Sequence, residues 1–154
     1  MATPRDSWSL RKVATYAGVL PKIARDAAVE GVIDGKYLVE TDVVLVRLYG
    51  ALKRLVWPSE LRPANGREIL RIWEQVAVET VRAALPDKIT PQTVLFVHQT
   101  GAELASSPGA MCAAMFKLCD EPYYSAPVGR WFTELPSQQP SQEPQLAAAE
   151  VPAA

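Results

Sequence analysis

Five residues, Ala17-Gly18-Val19-Leu20-Pro21, constrain this chain most, because they stop one helix and start another within a single turn. Upstream, Ser9 suits an N-cap, since its hydroxyl can accept from free first-turn amides. Leu10, Val13, Ala14 and Ala17 then recur at helical spacing. Gly18 falls where a left-handed residue ends a helix. Pro21 fits the first position of the next helix, where no backbone donor is needed. Ile23, Ala24, Ala27 and Ala28 give that second helix a small apolar face, and Lys22, Arg25, Asp26 and Glu30 decorate the other. Small residues at the crossing let the helices approach closely, as a helix-turn-helix requires. The expected helices cover about 9–17 and 21–29.

The pattern continues. Asp34-Gly35 is a type I′ turn signal between Val32-Ile33 and Tyr37-Leu38-Val39, which predicts a two-stranded wing. Thr41 or Glu40 should cap a third helix over about 41–56. Its valine run also scores as strand, but the apolar spacing continues through Tyr49 to Leu55. Arg47, Lys53 and Arg54 decorate this helix.

The ordered set Trp8, Ser9, Leu10, Val13, Ala14, Gly18, Val19, Pro21, Arg25, Glu30, Gly31, Val32, Ile33, Lys36, Tyr37, Glu40, Asp42 and Val43 resembles the N-terminal winged helix-turn-helix of the MerR-like family, without a gap. It covers roughly a third of the chain. Where the family usually has two aromatics after the central Arg, this chain has Asp26 and Ala27, and the wing carries one cation, Lys36. The resemblance implies that the second helix enters the major groove of double-stranded DNA, with the wing over the adjacent backbone or minor groove. The implied DNA-binding residues are Arg11 and Lys12 on the first helix, Lys22 and Arg25 on the second, and Lys36 and Tyr37 on the wing.

Charge distribution agrees with that reading. Of 154 residues, the first 62 hold ten Lys/Arg against seven Asp/Glu, net +3, and the remainder hold six against ten, net −4. The basic half is the half with the helix-turn-helix pattern, as an electrostatic footprint on DNA requires. Hydrophobic residues at 49% and charged residues at 21% suit a folded globular chain. No apolar run approaches membrane-spanning length and no leader opens the chain, so a cytoplasmic protein with no membrane partner is expected.

Beyond the connector Ser59–Asn65, Asn65 should cap a longer amphipathic helix, Arg67–Leu85, with Ile69, Ile72, Trp73, Val76, Thr80, Val81 and Ala84 at spacings of three and four. Packing on its own domain is the first expectation. The alternative is a dimer helix, making a homodimer with Trp73 near the contact. Thr93–Gln99 reads as a buried strand, and Gly101 turns it back into a short partner, Ala102–Ala105. Ser107-Pro108 opens a helix over about 108–119, and Pro127 opens a short one through Arg130, Trp131, Phe132 and Leu135. From Pro136 a Pro/Ser/Gln/Ala-rich tail should be disordered. The expected divisions are 7–62 for the winged helix-turn-helix, 63–135 for a helix plus small α/β region and 136–154 for the tail. The expected class is α+β, mainly α.

No catalytic constellation, metal site or cofactor motif emerges, so an enzyme is not expected. His98 lies in an apolar strand and reads as a packed side chain. Cys112 and Cys119, seven apart, match neither zinc nor redox spacing and read as core thiols. Ser106-Ser107 is a cap rather than a nucleophile, and Tyr123, Tyr124 and Trp131 read as closing a small core. The function expected is a sequence-specific DNA-binding transcriptional regulator, a repressor of the phage or plasmid immunity type by its size. One alternative is an excisionase-like or other architectural protein of recombination or packaging. Another is a ligand-sensing regulator with an effector pocket within residues 93–135.

Overall fold

Local signals set most element boundaries. The computed structural model describes residues 8–55, 72–98 and 101–139. Helix α1 is Leu10–Ala17: the Lys12 amide donates to Ser9 Oγ at 3.1 Å, and Gly18 ends the helix at φ 70°. Helix α2, Pro21–Val29, begins on its proline. Helix α3 is Asp42–Lys53. The expected Thr41 side-chain cap is absent; instead the Asp42 carboxylate accepts from the Val39 amide at 2.8 Å.

Between α2 and α3 no strand forms, so the two-stranded wing expected at residues 32–39 is an irregular loop. Gly35 is not at positive φ, which excludes the type I′ turn. The Asp34 carboxylate instead accepts from the amides of Lys36 and Tyr37, at 2.8 and 3.3 Å. That side-chain-closed turn replaces the backbone pairing a hairpin would need.

Helix α4, Ile72–Ala84, is followed by β1, Val94–His98, and β2, Gly101–Ala105. Helix α5, Pro108–Lys117, carries the expected cap, with the Ala110 amide donating to Ser107 Oγ at 3.1 Å. Strand β3, Tyr124–Ala126, was not expected from the sequence; helix α6, Val128–Thr133, follows it. The antiparallel sheet has the order β2-β1-β3, with Leu95 opposite both Leu104 and Ala126. The fold is therefore α+β, dominated by helix.

Alternation along β1 divides the packing. Leu95 and Val97 face one large core, while Val94 and Phe96 face a small cluster with Ala105, Ala114 and Leu118 under α5. The large core runs without interruption from Val13, Ala24 and Leu48 through Trp73, Ala77 and Val81 to Val128 and Trp131. It thus crosses the division expected near residue 62. Trp73, Ala77, Val78 and Val81 are buried, so the apolar face of α4 is covered within the chain and Trp73 is not a surface residue.

Some expectations lie outside the described residues: the 59–65 connector, the Asn65 cap, the 67–71 start of the long helix and positions 140–154. Residues 136–139, expected to belong to a disordered tail, are described. Pro136–Gln138 is a 3-10 turn, and the Ser137 amide donates to Glu40 Oε1 at 2.8 Å.

Candidate nucleic-acid interface

Helix α2 owes its orientation to alanines. Ala24 and Ala27 are fully buried toward α1 and α3, with Ile23 and Ala28 half-buried beside them. A helix that buries this side must turn Lys22, Arg25 and Val29 outward, since they lie at i, i+3 and i+7. Lys22 and Arg25 are exposed, and among the described residues neither makes an ion pair. Val29 is 86% exposed, and Leu20, just before the helix, is 73% exposed. The outward face therefore offers two free cations framed by two apolar side chains.

The far end of α2 is locked. Arg82 of α4 donates through Nη2 to the carbonyls of Gly31 and Val32. Glu30 lies 3.4 Å from Lys53 Nζ, and Lys53 in turn lies 3.5 Å from Glu74, a fully buried carboxylate on α4. This chain of charges ties α2, α3 and α4 together, so the exposed face sits on a braced scaffold.

The other expected contacts are distributed around it. Arg11 is exposed on α1. Lys12 sits 4.3 Å over the Trp8 ring, which also packs edge-on against Tyr16 at 5.3 Å. Lys36 and Tyr37 are exposed on the loop, Tyr37 at 79%. A Cβ on Gly35 would stand 3.6 Å from Ala28 Cβ, so this loop adjoins the C-terminal half of α2.

One cation was passed over as helix decoration. A cleft of about 350 Å³ beside the α1–α2 turn is lined by Gly18, Val19, Arg47, Arg54 and Trp131. Arg47 is engaged, 2.7 Å from Glu134 and stacked on Trp131, whereas Arg54 is exposed at the end of α3. Its spacing on a helix gives no hint of that cleft; only the tertiary placement does. A second cleft, about 630 Å³, runs between Ile33, Tyr37, Asp42, Arg82 and Leu85. Of the 93–135 stretch expected to form an effector pocket, Trp131 lines the first cleft and no residue lines the second.

Asp42 lies under that second cleft. Burial pushes its carboxyl above the ordinary value of 3.8, with nearby Asp34 adding to the rise, while the Val39 amide and Arg82 oppose it. His98 is half-buried, with Nδ1 3.7 Å from Glu121. Cys112 and Cys119 are both exposed, which corrects their reading as core thiols. Helix α5 turns Met111, Ala114 and Leu118 toward the sheet, so the cysteines one position beyond Met111 and Leu118 rotate outward. Among the described residues no cluster of His, Cys, Asp or Glu could hold a metal ion, and no helix is long and apolar enough to cross a membrane. Comparison with protein-family models, curated proteins and solved structures finds no match to this chain.

Proposed function

We propose that this chain is a sequence-specific double-stranded-DNA-binding regulator of transcription, acting as a repressor, with α2 as its recognition helix. The observation that carries the reading is the outward face of α2. Lys22 and Arg25 are exposed and without ion pairs among the described residues, next to exposed Leu20 and Val29, on a helix braced from behind. Major-groove edges call for this mixture: cations for guanine O6/N7 or phosphate, and apolar side chains for thymine methyls. The order helix, three-residue joint, helix, loop, helix supports a helix-turn-helix of the MerR-like kind, with a short loop in place of the wing.

In this reading Arg25 meets a base edge and Lys22 a base edge or phosphate. Arg11, Lys12 and Lys36 hold the flanking backbone, which fixes register without specifying sequence. Selection from randomised duplexes, followed by sequencing, tests it. A short enriched site is expected. On that site Arg25→Ala should weaken binding by about 1–3 kcal/mol, the worth of one bidentate base contact. Its melting temperature should not change, because the side chain is exposed. Failure to enrich any site would contradict the proposal.

A further inference from the structure

Helix α5 is apolar on two opposite sides. Met111, Ala114 and Leu118 pack on Phe96 and Ala105 of the sheet. Gly109, Ala113 and Phe116, with Cys112, occur at i, i+4, i+7 and i+3 on the side facing away, and all four are exposed, Phe116 at 82%. A helix that is hydrophobic all round is normally buried all round.

We infer that this face docks a second copy of the chain, α5 against α5, antiparallel about a two-fold axis. The first argument is self-complementarity, which a two-fold interface demands. With the axis between positions 112 and 113, Phe116 of each copy falls opposite the partner's Gly109, and Cys112 opposite the partner's Ala113. The largest side chain on the face therefore meets the residue with none. Among the described residues nothing in the single chain requires Gly109 to lack a side chain. A Cβ there would meet nothing within 4 Å, and its backbone is not at positive φ. Glycine is nonetheless a weaker helix former than alanine, though Gly109 stands in the first turn of α5. Room for an incoming ring explains it.

The second argument is charge. The first turn of α5 holds no acidic residue, while Asp120 and Glu121 are exposed just past its C-terminal end. Antiparallel pairing brings the acidic end of each helix to the positive end of the other helix's dipole. Lys117, the only cation on α5, is already paired with Glu103 of its own chain. The face is small beside the roughly 800 Å² per partner of a standard interface, so the dimer forms in a concentration-dependent equilibrium.

This inference does not depend on DNA binding, and its test contains no DNA. Sedimentation equilibrium of the full chain under reducing conditions, from about 1 μM to about 1 mM, reads the association directly. The wild type should pass from one copy to two across that range. Phe116→Asp should remain single throughout at an unchanged melting temperature. Gly109→Ala should raise the dissociation constant by about tenfold or more with no drop in melting temperature. A wild type that stays single throughout overturns the inference, whether its face is bare or covered by its own chain or awaits a different protein. So does a Phe116→Asp variant that dimerises as the wild type does.

Discussion

Lys22 and Arg25 stand one turn apart on a face whose neighbours were chosen small. Their exposure follows from Ala24 and Ala27 being buried, because on a nine-residue helix only one side can be inward. Both cations were legible in the sequence, since the turn Gly18 to Pro21 fixes the phase of α2. The exposed apolar pair Leu20 and Val29 was not singled out, because a lone aliphatic residue next to an alanine stripe reads as core. Asp42 shows the opposite case, a charge that the sequence offers only as part of the family-like pattern and the fold buries. Its carboxyl titrates above 3.8 in the folded state, mainly through burial. A raised folded-state pKa means that protonation favours folding. The contribution is fully present below the unfolded value and is lost as pH rises through the folded one. Asp42→Asn keeps an acceptor for the Val39 amide and removes the buried charge. Thermal melts should show the variant at least as stable as wild type near neutrality, with any advantage shrinking as pH falls through the raised folded-state value toward 3.8 and constant below it. An advantage that grows on acidification would contradict the burial of this charge.

At the scale of elements, the helices with local start and stop signals were legible to within a residue or two. Ser9 and Gly18 bound α1, Pro21 opens α2, and Ser107-Pro108 opens α5. What could not be read were features made by distant partners. Strand β3 is three residues long between two prolines, too short for any periodicity, and exists because Leu95 and Val97 offer it an edge. The wing failed for a local reason of a different kind: the Asp34 side chain satisfies the amides of Lys36 and Tyr37, and Asp42 takes the Val39 amide. The buried charge chain Glu30–Lys53–Glu74 was invisible because its members lie far apart in sequence and on three different segments. It makes a firm prediction. Lys53→Met removes this counter-charge from buried Glu74, which should lower stability, by at most about 3–5 kcal/mol. Urea denaturation followed by circular dichroism reads the loss as a lower midpoint with an unchanged slope. An unchanged midpoint would show that the pair does not brace α4 against α3.

Across the whole molecule, one core joins the N-terminal helices to the sheet, so the outward face of α2 proposed to read DNA is carried by the same core as the sheet. The apolar side of α4, which the sequence offers as a dimer surface, is consumed by this core, and α5 is left with the uncovered one. Electrostatics at this scale is restrained. The net charge is −1, and five cations, Arg11, Lys12, Lys22, Arg25 and Lys36, make up the proposed grip. Counterion release then limits the salt dependence: log affinity per copy against log salt should have a slope no steeper than roughly −5. Titrations at several salt concentrations check this, and a much steeper slope would require cations beyond these five at the interface, exposed Arg54 first.

The central claim is that α2 reads the major groove through Arg25. Dimethyl sulfate interference on the selected site tests it most directly, because methylation of guanine N7 blocks the groove edge that an arginine would use. Wild-type protein should be excluded by methylation at one or more guanines in the site, and Arg25→Ala should lose the interference at one of those guanines while keeping it elsewhere. Interference that is identical for wild type and variant, or confined to adenine N3 in the minor groove, would contradict the assignment of α2 as the recognition helix.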